Sequence, residues 1–242
     1  MKKIIFLTVT ATMLMLAASC GETASTMAKK ENASAIEETN NENQGTIHSQ
    51  KLTAKDIPGE IGYQGDIIEA YKYTDKTGEN IVIFTETDVM AWYCEEDEIE
   101  LSSKSLYAHR FLKKGNDWEE IWRVYDMELD CPVTVFSDFI KDACIITDLN
   151  DDGVAEIWLI YKKGCFGGLD VMPMFLRMYH NEEVYTISGE TKLEFFNGEK
   201  EEIYGGEYTL DNKFLNKNTP PAFVNFAKQL WEKNIYGFNN NY

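Results

Sequence analysis

Basic residues are scarce in this chain: 23 lysines and arginines stand against 41 aspartates and glutamates over 242 residues, a formal net charge of −18. So acidic a surface repels phosphate backbones and anionic lipid head groups and favours cations. That excludes nucleic-acid binding and attachment to a membrane through a basic helix. Long apolar runs are also missing, since the leading uncharged stretch, Ile4 to Ala18, is shorter than the ~20 residues a spanning helix needs. No G-x-S-x-G, H-E-x-x-H, P-loop or Rossmann glycine loop occurs, no two cysteines stand at C-x-x-C spacing, and only three histidines are present. The motifs that mark serine hydrolases, zinc peptidases and nucleotide-binding enzymes are therefore absent.

The N-terminus carries a positive signal. Lys2 and Lys3 precede the uncharged stretch, and the small residues Ala17, Ala18 and Ser19 lead into Cys20. A basic head, a short apolar run and a small-residue exit predict a secretory signal over residues 1–19. The cysteine that follows resembles a bacterial lipobox, in which the thiol is acylated and becomes the new N-terminus. One departure is Ala17, three residues before the cysteine, where lipoboxes usually carry Leu; Leu16 lies one place earlier. Cys20 is thus the expected lipidation site and the membrane the expected partner, in the cell envelope as an outer-membrane lipoprotein. Without the two signal lysines, 21 basic side chains face 41 acidic ones, a net of −20. Residues 20–56 read as a disordered tether, because Ser, Thr, Asn, Glu, Lys and Ala dominate and no aromatic is present to bury. As a flexible coil the tether spans roughly 30–35 Å.

Residues 57–242 are expected to form one domain, since ~185 residues suffice for one sizeable core. Short β-branched and aromatic runs alternate with Gly, Asp and Asn turns. They predict strands at Ile67–Tyr73, Asn80–Thr85, Val89–Cys94, Ser105–Leu112, Trp118–Tyr125, Ala143–Thr147, Glu156–Tyr161, Met174–Tyr179, Val184–Ile187 and Glu202–Leu210. On strand parity, Trp118, Trp122 and Val124 share a buried face, and Trp92 is buried with Met90 and Cys94. Near the end, Thr219-Pro220 offers a capping hydroxyl and a proline for the first turn. Phe223, Phe226, Ala227, Leu230 and Trp231 follow on one helical stripe, predicting an amphipathic helix over about 220–234 packed on the sheet. The fold class is mainly β (α+β): an antiparallel sheet or sandwich with one C-terminal helix.

The best chemical motif is Asp148-Leu149-Asn150-Asp151-Asp152-Gly153-Val154-Ala155-Glu156. Oxygen side chains at positions 1, 3 and 5, glycine at 6 and a carboxylate at 9 resemble the start of a calcium loop. Asp148, Asn150, Asp152 and Glu156, with the Val154 carbonyl, are the candidate Ca²⁺ ligands. Position 12 is Leu159 rather than a bidentate glutamate, so this is not an EF-hand, and the affinity would be weak, ~10⁻⁴–10⁻³ M. The alternative is an Asx-rich turn that needs no ion. A similar acidic turn with glycine, Thr74 to Ile83, echoes it earlier in the chain. Beyond Cys20 four cysteines remain, an even number in an exported chain. Cys131, before Pro132, and Cys165, beside Gly164, read as loop residues and are the predicted disulfide; zinc is the alternative, and the pairing of Cys94 and Cys144 stays open.

No catalytic constellation emerges. His109 and His180 read as structural. The carboxylate pairs Glu119/Glu120, Asp126/Asp130 and Glu201/Glu202 have the chemistry for glycoside hydrolysis, but with 41 acids such pairs arise by chance. The segments Ile121 to Asp126, Asp130-Cys131-Pro132, Ile146 to Tyr161, Gly205-Gly206-Glu207-Tyr208 and Ala227-Lys228-Gln229-Leu230-Trp231 together resemble a family of Bacteroidota envelope proteins, the surface polysaccharide biosynthesis proteins. The resemblance covers roughly Gly62 to Ile235. It implies involvement in making or presenting surface glycan, with a glycan or envelope assembly proteins as partners, and it supplies no catalytic residues. The expected function is a non-enzymatic lipid-anchored accessory or binding factor. The alternatives are a carbohydrate-active hydrolase using paired carboxylates and a purely structural surface lipoprotein.

Overall fold

The computed structural model describes residues 47–236, apart from 143, 169, 197 and 199. The expected signal over 1–19, Cys20 and the tether as far as residue 46 lie outside the described residues.

The chain forms β1 (Ser49–Lys51), β2 (Asp66–Asp75), β3 (Gly78–Glu86), β4 (Met90–Cys94), β5 (Ile99–Lys114) and β6 (Asp117–Cys131) of a first antiparallel sheet. A second sheet contains β7 (Thr134–Phe139), β8 (Ile145–Thr147), β9 (Glu156–Phe166), β10 (Pro173–His180) and β11 (Glu183–Glu190), with β14 (Tyr208–Leu210) at its edge. Between the last two, β12 (Lys192–Phe196) and β13 (Glu201–Gly205) pair as a separate ribbon, and α1 (Pro221–Asn234) closes the chain. This is the predicted β-rich class with one C-terminal helix. Each sheet hangs on one long strand. β5 takes β3 and β4 end to end along one edge and β6 along the other. β9 likewise takes β7 and β8 along one edge and β10 along the other.

The sheets face each other as a sandwich. Tyr73, Val82, Phe84, Leu106, Ala108 and Val124 of the first sheet meet Phe139, Ile146, Ile157, Leu159 and Tyr161 of the second in one buried cluster. β9 is buried on both faces, because its outward row, Trp158 and Ile160, packs under α1 with Met174, Leu176 and Met178. Phe223, Ala227, Leu230 and Trp231 supply the helix side of that layer and Phe226 flanks it, so the predicted stripe is the packing face. Burying such a layer contributes roughly 1.5–3 kcal/mol per large apolar side chain. Pro220 holds the N-cap position, but no side chain caps the helix. The Thr219 hydroxyl donates instead to the Lys213 carbonyl, at 2.6 Å.

Four expectations need correction. The expected boundary at residue 57 falls too late: β1 pairs with β2, and Leu52 and Ile61 are buried with Ala70, Ile81, Ile83 and Phe111 on the outer face of the first sheet. Trp118 and Trp122 do not share a face. The register steps from Arg110↔Trp122 to Phe111↔Glu120, leaving Ile121 as an extra residue, and such a bulge reverses the parity beyond it. Trp122 therefore joins the inter-sheet cluster and Trp118 the outer one. Trp92 is 38 % exposed and Met90 68 %, since β4 bonds only to β5 and nothing among the described residues covers it. The predicted strand Glu202–Leu210 is two strands in different sheets, broken at Gly205 (φ 68°) and Gly206 (φ 88°), where the left-handed backbone suits glycine.

Candidate functional site

The Asp148 loop joins β8 to β9, and its oxygens are turned onto its own backbone. Asp148 Oδ1 accepts the Asp152 N–H at 3.1 Å and Oδ2 the Gly153 N–H at 3.0 Å. Asn150 Oδ1 also accepts the Asp152 N–H (3.2 Å), and Asp152 Oδ1 accepts that of Val154 (2.8 Å). Asp151 (φ 56°) and Gly153 (φ 82°) make the left-handed turns that let the chain curl. Glu156 is set apart. Its side chain points inward, fully buried, and accepts the Thr147 hydroxyl (2.6 Å) and the Leu149 N–H (2.8 Å). Burial pushes its carboxyl above the usual glutamate range despite those bonds.

The loop is also clamped from outside. The β2–β3 turn, its sequence echo, docks against it: the Lys76 N–H donates to the Gly153 carbonyl (2.7 Å) and Asp75 Oδ2 accepts the Ala155 N–H (3.0 Å). Lys76 Nζ reaches the Asp152 carbonyl at 3.4 Å, and His180 Nε2 lies 3.0 Å from Asp152 Oδ2. Burial opposes ionisation of Asp152, but the Val154 N–H, the Asn150 amide and His180 hold its carboxyl below the ordinary range. Asp148, Asn150 and Asp152 are thus brought together as an Asx turn tying the two sheets. No group of three or more His, Cys, Asp or Glu side chains among the described residues is arranged to hold a metal ion.

Cys131 and Cys165 form the predicted disulfide, with Cα atoms 5.4 Å apart. Both lie in strands, β6 and β9, rather than in loops, so the bond staples one sheet to the other. Cys94 and Cys144 carry free thiols, and burial pushes that of Cys144 well up. His109 is fully buried, with Nδ1 2.6 Å from Glu120 Oε1 and its ring stacked between Tyr107 and Phe111. His180 packs edge-on against Phe223 at 5.5 Å.

Two of the three candidate carboxylate pairs do not assemble. Glu119 and Glu120, like Glu201 and Glu202, are neighbours along a strand and point to opposite faces. Glu120 is held by Arg123 (2.8 Å) as well as His109, and Asp126 by Lys163 (2.8 Å) and the Tyr161 hydroxyl (2.7 Å).

A different site, which no motif announced, opens between the two sheets and the end of α1. This cleft of about 580 Å³ carries Lys104, Lys141, Lys162 and Lys233 on its walls with one carboxylate, Asp138. Val89, Val135, Phe136, Phe139 and Ile140 add apolar side chains to the lining. The placement follows from the topology: β5 delivers Lys104, β7 Asp138, β9 Lys162 and the last turn of α1 Lys233. Lys104 Nζ bridges Glu86 Oε2 (2.7 Å) and Asp138 Oδ1, while Glu86 Oε1 accepts the Phe139 N–H at 2.8 Å. Desolvation opposes the Lys104 charge, but Asp138 and Glu86 outweigh it and raise its affinity for the proton. Burial lowers the Lys162 ammonium from its ordinary value, with Asp138, its cross-strand neighbour, opposing.

Compared with protein-family models, curated proteins and solved structures, the chain matches none. Among the described residues no helix is long and apolar enough to cross a membrane.

Proposed function

We propose that this chain is a lipid-anchored envelope protein that acts without catalysis, as a binding or accessory factor in building or presenting surface polysaccharide. The observation that carries the binding role is the cleft lined by four lysines in a chain of net charge −18. A hydrolase of sugars needs two carboxyls facing across the scissile bond, ~5–9.5 Å apart. Here the lining offers a single carboxylate among ammonium groups, an arrangement suited to holding a ligand rather than cleaving one. The glycan context rests on the Asp-Cys-Pro, Asp148-turn and terminal-helix resemblance, and the anchor on the lipobox-like exit to Cys20. One acyl chain binds a membrane only marginally, so firm attachment needs two or more.

A deletion strain scored for surface glycan by gel and lectin staining tests the role. Loss or shortening of the glycan, restored by the wild-type gene and not by Cys20→Ala, is the expected result. An unchanged glycan profile removes the role, and absence of palmitate label from the wild-type product removes the anchor.

A further inference from the structure

We propose that the free edge of β4 is a docking site for a partner polypeptide, an extended segment of basic and apolar residues that adds to the first sheet as a further strand. The inference concerns a protein partner, rests on the fold, and stands whether or not the glycan role holds.

The edge is open. β4 bonds to β5 in the register Met90↔Ser103, Trp92↔Leu101 and Cys94↔Ile99, and among the described residues no other strand pairs with it. The Thr87 N–H donates to the Ser105 carbonyl at 2.9 Å, so the odd-numbered residues of β5 turn their backbone groups toward this side. Ser103, Leu101 and Ile99 therefore bond Met90, Trp92 and Cys94, and the N–H and C=O groups of Ala91 and Tyr93 point away from the sheet. Native sheets guard such edges with charge, proline, a bulge or short length. β1, β8 and β14 are three residues long, and β6 and β7 carry acids. β4 reads Met-Ala-Trp-Tyr-Cys, with no charge, proline or bulge.

Both faces of the strand also meet solvent. Met90 and Trp92 lie on one face with Ile99 (39 % exposed), and Tyr93 (61 %) lies on the other. An added strand gains main-chain bonds along the edge and apolar contacts on either side, the two components of recognition by strand addition.

Charge decides the partner. Between Thr87 and Ser103 stand six acids, Asp88, Glu95, Glu96, Asp97, Glu98 and Glu100, and no lysine or arginine. None of the six forms an ion pair among the described residues. They flank the strand at both ends and draw a basic segment to it. They oppose a second copy, because pairing β4 with β4 across a twofold axis sets the same acids against themselves.

The test uses the purified full chain and a dye-labelled peptide of alternating lysine and valine, read by fluorescence anisotropy. Saturable binding is expected, weakened by salt, and a peptide of alternating glutamate and valine should not bind. Methylating the central amide nitrogens of the lysine peptide removes donors and keeps the charges, and should cost about tenfold or more in affinity. Ala91→Pro should cost about as much, because proline there deletes an outward N–H and no bond to β5. Ala91→Val keeps that N–H and should bind within about threefold of the wild type. Melting midpoints check that both variants fold, and the methylated peptide tests the wild type itself. Glu95→Gln/Glu96→Gln/Glu100→Gln should weaken binding about tenfold or more. The control Glu119→Gln/Glu182→Gln/Glu207→Gln makes the same charge change at exposed residues outside this hairpin and should stay within about twofold. No saturable binding overturns the proposal. Undiminished binding of the methylated peptide or by folded Ala91→Pro, or equal loss in the two triple variants, reduces the interaction to net charge and overturns it too. A wild-type dimer that Ala91→Pro dissolves overturns it in favour of a second copy. Peptide binding with the expected dependences supports the docking edge even where the deletion strain keeps its glycan, so the two readings fail separately.

Discussion

Breaking the Cys131–Cys165 bond should lower stability by an amount the topology sets. The two cysteines are 34 residues apart. Chain-entropy reasoning for a closed loop of that size gives ~3.8 kcal/mol at 25 °C. For a domain of this size each kcal/mol corresponds to about 2–4 °C of melting midpoint, so a fall of roughly 8–15 °C is expected. The closed loop contains all of β7 and β8, and β7 begins to pair with β9 at Thr134↔Phe166 and Val135↔Cys165. Opening the bond therefore frees the unfolded chain and leaves the edge strand that supplies Val135 and Asp138 to the cleft held by its ladder, by Phe139 in the inter-sheet core and by the Glu86 and Lys104 contacts. The clean perturbation is Cys131→Ser/Cys165→Ser, which leaves no stray partner thiol. Cys131 is 1 % exposed, so a buried hydroxyl at that position adds to the cost, while Cys165 is exposed and adds little. Thermal melts by circular dichroism, with and without reductant, read the effect. Reductant should bring the wild type down toward the variant and leave the variant where it was. A variant melting within about 2 °C of the wild type would refute the reasoning, because the loop would then be closed in the unfolded state by something else. Equal sensitivity of both proteins to reductant would refute it too.

Three further outcomes follow from the Asp148 region. Asp75→Ala strips the acceptor from the buried Ala155 N–H and dissolves the β2–β3 turn bonds to Thr77 (2.8 Å) and Asn80 (3.2 Å). It should cost about 2–3 kcal/mol in urea denaturation, an unpaired buried donor being worth ~1–3 by itself; a loss below about 0.5 kcal/mol contradicts the clamp. Calcium at millimolar concentration and EGTA should leave the melting midpoint unchanged if the bonds from the loop's oxygens to backbone N–H groups are all it needs; a rise with Ca²⁺ supports the metal reading. Glu156 has its carboxyl raised by burial, so the folded state holds that proton more tightly than the unfolded one. Its contribution is complete below the ordinary glutamate range and is lost as pH rises through the raised value. Stability of the wild type relative to Glu156→Gln should therefore fall with pH across that interval, and parallel curves for the two proteins would sink the assignment.

What the sequence makes legible here depends on whether neighbours along the chain share a fate. The α1 stripe and most strands are local periodicities, and a run such as Glu156–Tyr161 needs no partner to be recognised. The disulfide is readable because four cysteines beyond Cys20 leave only three pairings, although the strands around Cys131 and Cys165 are not. β7 escaped because Ser137 interrupts its inward row between Val135 and Phe139 and Pro132 reads as a loop. Leu52, Ile57 and Ile61 are too sparse for any period, yet they cover the outer face of the first sheet. Ile121 shows how one extra residue defeats parity: by counting alone, Trp118 and Trp122 must agree, and only the pairing with β5 reveals that they do not. The cleft is the extreme case. Lys104, Lys141, Lys162 and Lys233 are spread over most of the folded chain, each flanked by ordinary surface or strand residues, and in a polymer this acidic each reads as a solvated counter-charge. Their convergence is a property of strand order, since β5, β7, β9 and the end of α1 meet at one end of the sandwich. A site assembled by topology in this way is invisible to spacing, whereas the Asp148 loop, contiguous and conspicuous, is largely occupied in holding the two sheets together.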